Sequence, residues 1–153
     1  MPLRQQLNDA MKEAMKARNA PRLATLRLVL AALKDRDIAA RSETSRDLLG
    51  DDEILVLLAK MIKQREESAA AYDAGQRPEL AAGERAEIAV IREFMPRQMD
   101  DAEMAAAIRA VVAATGAASI KDMGKVMAAL KERHAGQMDF TKASAAVKAA
   151  LSA

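Results

Sequence analysis

The stretch Pro21-Arg22-Leu23-Ala24-Thr25-Leu26-Arg27-Leu28-Val29-Leu30-Ala31-Ala32-Leu33-Lys34 decides the fold class. Pro21 suits the opening of a helix, where its missing N–H costs no intrahelical hydrogen bond. Leu23, Leu26, Leu30 and Leu33 then recur at 3-4-3 spacing, and the seam runs on towards Arg41. That is the period of a helix with one buried face. The same period recurs in nearly every other segment, and no period-two alternation stands against it. The chain therefore reads as all-α.

Upstream, Leu3, Leu7, Met11 and Met15 form a first stripe that ends near Arg18-Asn19. Downstream, residues 42–50 read as a loop rich in turn formers. Asp51-Asp52-Glu53 places acidic groups at the positive end of a third helix dipole. Ile54, Leu57, Leu58, Met61 and Ile62 are its buried face, and Gly75 is expected as a left-handed C-cap after Ala74. Pro78 opens a fourth helix with Leu80, Ile88, Ile91 and Met95 on one side. It must stop before Pro96, because proline disfavours helical geometry in the residue before it. Four helices by residue 95 suffice for a bundle.

Pro96-Arg97-Gln98-Met99 is the expected hinge. Beyond it the chain becomes alanine-rich and its helices shorten. Asp100 and Glu103 have capping-box spacing, and Met104, Ile108, Val111 and Val112 follow as a core stripe up to Thr115-Gly116. Ser119 is expected to cap the next helix, with Ile120, Met123, Met127 and Leu130 at 3-4-3 spacing and Ala135-Gly136 at its end. Asp139 caps a last helix that packs through Phe140, Ala143, Val147 and Leu151. The expected organisation is a four-helix bundle over residues 1–96 and a three-helix tail over residues 97–153.

Composition excludes several functions. At 153 residues without cysteine, the chain has no disulfide frame, thiol nucleophile or cysteine-bound metal. Its N-terminus carries no apolar signal core and no run approaches the length of a membrane span. A soluble, cytoplasmic protein is expected. Three aromatics, Tyr72, Phe94 and Phe140, are too few for reading unstacked bases. Net charge is +2, distributed as +5 over residues 1–46, −5 over 47–96 and +2 over 97–153. Such asymmetry suits either a polyanion-binding face or packed helices that neutralise one another. For residues 1–96 the second reading is preferred.

Catalytic groups are sparse. The single histidine, His134, sits near the end of its helix, where a cation favours the negative end of the dipole. Helix capping accounts for Asp51-Asp52-Glu53 and Asp100-Asp101-Glu103 better than magnesium binding does. Gly124-Lys125 lacks the upstream glycine of a phosphate loop, and no serine sits in a strand–turn–helix elbow. No catalytic residue, cofactor or metal is expected.

Ser119-Ile120-Lys121-Asp122-Met123-Gly124-Lys125-Val126-Met127 is the better candidate. After Ser119, six cations (Lys121, Lys125, Lys131, Arg133, Lys142, Lys148) face three anions (Asp122, Glu132, Asp139). Shape and backbone contacts to RNA need such a face; an ordinary solvated helix face, the preferred reading from the residues alone, carries the same charges. Glycine inside a helix costs roughly 1 kcal/mol relative to alanine, so Gly124 is expected to serve a close approach. With Ala128 one turn on, the approaching body is either a neighbouring helix, the preferred reading, or an RNA backbone.

The chain resembles the GatB/YqeY family. The matching pieces are Thr25–Asp35, Met61-Ile62-Lys63-Gln64-Arg65-Glu66-Glu67-Ser68, Tyr72-Asp73-Ala74-Gly75-Gln76-Arg77, Glu87–Pro96 and Lys121–Met127, in the family's order. The resemblance implies a helical bundle followed by a small helical tail, like the end of the B subunit of the tRNA-dependent amidotransferase. In that enzyme the tail contacts tRNA while the chemistry lies elsewhere. A related module assists tRNA binding in some glutaminyl-tRNA synthetases. The resemblance thus implies tRNA as ligand, with Lys121, Gly124, Lys125, Lys131 and Arg133 nearest the contact. Amidotransferase or aminoacyl-tRNA synthetase components are the implied partners. Family descriptions also attach a carbon–nitrogen ligase activity with glutamine as amido-N-donor, for which this chain has no matching catalytic portion. A helical protein-interaction module without RNA binding is the competing reading.

Overall fold

In the computed structural model, residues 1–42 and 47–152 are described, and every regular element among them is helical. Ser42 and residues 47–50 are non-helical, as the loop expected over 42–50 requires. Residues 43–46 of that loop lie outside the described residues. The chain divides into two compact units, Met1–Met95 and Pro96–Ala153.

The first unit holds α1 (Leu3–Lys16), α2 (Ala20–Ala39), α3 (Asp51–Ala74) and α4 (Pro78–Arg92). Leu7, Leu26, Leu33, Ile54, Leu58 and Ile91 are its fully buried centre. Each such side chain contributes about 1.5–3 kcal/mol of burial. The three-residue link after Ala74 turns α4 back along α3. Ion pairs Asp73–Arg85, Arg65–Glu87 (2.8 Å) and Glu66–Arg92 (2.8 Å) join the two helices in antiparallel order.

In α1 the buried positions are Leu3, Leu7, Ala10 and Ala14, while Met15 is 48% exposed. The expected stripe of every fourth residue drifts about 40° per step around a helix of 3.6 residues per turn. By Met15 it has rotated out of the core, and the alanines at 3-4 spacing replace it. Leu80 is also exposed, and Ala81 beside it is buried. One residue is about 100° of helix, so the phase that buries Ala81 turns Leu80 outward.

The left-handed C-cap of α3 is Gln76 (φ 58°), not Gly75 (φ −86°). The N–H of Arg77 reaches Tyr72 O at 2.8 Å and that of Gln76 reaches Asp73 O at 3.1 Å. These two bonds define a Schellman ending one residue beyond the glycine. Arg18 (φ 53°) closes α1 in the same way, through Asn19 N–H to Ala14 O and Arg18 N–H to Met15 O. A non-glycine residue there costs about 1–2 kcal/mol, which the paired carbonyls offset.

Asp37, only 5% exposed on α2, is the polar tie of this unit. Arg4 of α1 donates to both its oxygens, at 2.8 and 2.9 Å, and the N–H of Leu49 donates at 3.0 Å. Arg4 also donates to Leu49 O, and Asp51 accepts the N–H of Leu3 at 3.1 Å. The segment entering α3 is thereby fastened to both α1 and α2. The Arg4 fork, first, and the Leu49 N–H hold the Asp37 carboxyl below its ordinary pKa against the opposing effect of burial.

The second unit holds α5 (Asp101–Thr115), a 3₁₀ turn (Ile120–Asp122), α6 (Met123–Arg133) and α7 (Phe140–Ser152). Ile108, Val111, Val126, Leu130, Ala143 and Val147 are its buried centre. Asp100 caps α5 by accepting the Glu103 N–H at 2.7 Å, and the Glu103 carboxylate takes a two-pronged bond from Arg97. Asp139 accepts the Thr141 N–H at 2.8 Å at the start of α7. Within the expected hinge, Met99 N–H donates to Gln137 O and Gln98 to Gly136 O. Both residues are fastened to the α6–α7 connection.

Arg4→Met leaves the buried Asp37 carboxylate without its fork. It is expected to lower the stability of the first unit by about 2–3 kcal/mol, read by urea denaturation. Asp37→Asn, which retains an acceptor, should cost less.

Candidate nucleic-acid interface

Gly124 is not in a helix interior. The backbone after Ser119, extended at φ −152°, first makes the 3₁₀ turn, and α6 begins at Met123. Ser119 stands at the cap position, and the Asp122 carboxylate accepts the N–H groups of Ala118 (2.9 Å) and Ser119 (3.3 Å). These two bonds, in that order, lower the Asp122 pKa, and the nearby Lys125 charge adds to them. Gly124 is thus the second residue of α6, where the helix penalty is small.

No neighbouring helix presses on it. A Cβ built at Gly124 meets nothing within 4 Å, and Gly124 and Ala128 are both exposed. This overturns the expectation of close helix packing. The buried side of α6 is Val126 and Leu130, with Met123 and Met127 half-buried beside them. At about 100° per residue, Gly124, Lys125, Ala128, Lys131 and Glu132 fall on the opposite strip. Ile120, expected in the core stripe, is 47% exposed because the 3₁₀ turn breaks the helical phase before Met123.

All four expected cations are exposed: Lys121 on the turn, Lys125 and Lys131 on the outer strip of α6, and Arg133 at its last residue, in phase with Val126 and Leu130 rather than with the strip. None of them makes an ion pair within 4 Å among the described residues, whereas Lys142 pairs with Asp101 at 3.3 Å. Glu132 shares the strip and weakens its field. The result is a shallow cationic ridge with a side-chain-free centre. His134 closes α6, its Nδ1 3.0 Å from Gln137 Oε1. The role of His134 visible here is structural.

Of the cations in the family-like pieces of the first unit, Arg65 is taken by Glu87, while Arg27 and Lys34 are exposed. A cleft of about 330 Å³ lined by Arg36, Ala39, Ala40, Leu49, Glu53 and Val56 is mostly aliphatic. Among the described residues, no three His, Asp or Glu side chains gather as a metal site. No single helix among them is long and apolar enough to cross a membrane.

An all-α chain whose second unit presents such a ridge fits the architecture implied by the sequence pieces. The family model described as YqeY-like protein matches residues 4–151, and the chain belongs to that family. Comparison with curated proteins gives no match.

Two outcomes follow from the α6 start. Gly124→Ala meets no clash and should raise stability by about 0.4–1 kcal/mol, chiefly by restricting the unfolded chain, checked by calorimetry. Asp122→Ala should destabilise the second unit at neutral pH. Because the folded pKa of Asp122 is depressed, its contribution is present above the ordinary value of 3.8 and is lost as pH falls through the folded value. The melting-temperature gap between wild type and Asp122→Ala should therefore close on acidification. A gap that does not narrow as Asp122 is protonated on acidification would contradict the cap.

Proposed function

We propose that the chain is an RNA-binding accessory module, with tRNA as its ligand, that acts through the outer strip of α6. The observation that carries this reading is the ridge of Lys121, Lys125 and Lys131 around the open surface of Gly124 and Ala128. Phosphates can approach the backbone there without meeting a side chain. The lysines on either side supply charge-assisted contacts. The paucity of aromatic residues favours shape and backbone recognition over base reading. Family membership supports the same ligand through the likeness to the tail of the tRNA-dependent amidotransferase.

On this reading the chain works beside a catalytic partner, an amidotransferase or an aminoacyl-tRNA synthetase, in the cytoplasm. Carbon–nitrogen ligase chemistry with glutamine would then reside in the partner. The first unit serves as the scaffold.

A gel-shift titration with bulk tRNA tests the reading. Neutralising three or four phosphates should make log K fall against log salt with a slope of roughly −2 to −4. Lys121→Glu/Lys125→Glu should weaken binding at least about tenfold with the fold intact by circular dichroism. Binding weaker than about millimolar at low salt, or unaffected by the double variant, contradicts it.

A further inference from the structure

Helix α2 carries apolar side chains on two opposite faces, the outer one interrupted by Asp35. Leu26, Val29 and Leu33 point into the core of the first unit, and Ala24, Leu28, Ala31, Asp35 and Ile38 are all exposed on the far side. Their spacing is 4-3-4-3, the seam of a helix packed against a second helix. Leu28 is 49% and Ile38 50% exposed. Taking about 100° per residue, Ala24, Ala31 and Ile38 mark the midline, with Leu28 and Asp35 on one side. Arg27 and Lys34, one heptad apart, border the other side. They are exposed and make no ion pair within 4 Å among the described residues.

We propose that this outer face of α2 is a docking site for an acidic amphipathic helix of a partner protein. Ala24 and Ala31 leave hollows that large apolar side chains of the partner fill, beside Leu28 and Ile38. Arg27 and Lys34 require carboxylates along the partner's adjacent flank, and Asp35 within the seam requires one Lys or Arg opposite it. Charge excludes a second copy as the occupant. Antiparallel pairing sets the Arg27/Lys34 row against its own duplicate, and parallel pairing sets Asp35 against Asp35. RNA is disfavoured because Leu28 and Ile38 offer nothing to a phosphate, and no aromatic residue of the chain lies on α2.

The test uses the full-length protein and designed helical peptides with one Leu/Ile seam. One peptide carries Glu along the flank facing Arg27 and Lys34 and one Lys opposite Asp35; a second has every charge inverted. Fluorescence anisotropy is expected to show the acidic peptide binding at least about tenfold more tightly than its inverse. Leu28→Glu should reduce that binding at least about tenfold. Arg27→Glu/Lys34→Glu should reverse the preference between the peptides. Backbone amide shifts should map to residues 24–38, and Lys125→Glu should leave peptide binding unchanged. Equal affinity for both peptides, binding unaffected by Leu28→Glu, or shifts mapping outside α2 overturns the proposal. So does tRNA, rather than the acidic peptide, as the ligand that shifts residues 24–38. A dimer abolished by Leu28→Glu in sedimentation would assign the face to a second copy and overturn it equally.

Discussion

A helix advances about 100° per residue, so each helix of a small bundle can turn only one strip towards the core. Everything else it carries must be polar, small or available to something outside. With all its elements helical, this chain is governed by that constraint from end to end. It buries Leu7 and Ala14 while turning Met15 out, and it buries Leu26 and Leu33 while leaving Leu28 and Ile38 uncovered. On α6 it buries Val126 and Leu130, and so leaves Gly124, Lys125, Ala128 and Lys131 facing outward together.

Polar ties then fix where each strip points. Asp37 binds Arg4 and Leu49 N–H, joining α1, α2 and the entry to α3 around one buried carboxylate. Asp122 plays a smaller, exposed version of the same part by holding the N–H groups of Ala118 and Ser119. Because its two bonds shape the turn before Met123, they set the phase of α6 and the outward position of Gly124. The cationic ridge is thus a consequence of local capping as much as of charge content.

Much of this was legible in the sequence. Leucine and isoleucine periodicity located the helices, and Pro78 and Asp139 marked two of their starts, because these signals depend on residues close together in the chain. Other features depended on context that spacing does not carry. Ser119 and Asp122 fit a simple helix cap as well as a 3₁₀ turn, so Gly124 read as interior and as a packing surface. Gly75 is the natural choice for a left-handed cap, but it follows Ala74 with φ −86° and the left-handed conformation falls one residue later, on Gln76. Arg4 and Asp37 lie 33 residues apart, and nothing local marks them as partners. Lys121 and Lys125 read as exposed, and they are. Family likeness, rather than charge, pointed to what they face.

The most direct test of the account is a nitrogen-15 amide titration of the full-length protein with tRNA at low salt. The account predicts progressive shifts at Lys121, Gly124, Lys125, Ala128 and Lys131, reversed by added salt, with little change at the buried Val126 and Leu130. Shifts absent from α6, or confined to the first unit, would contradict it.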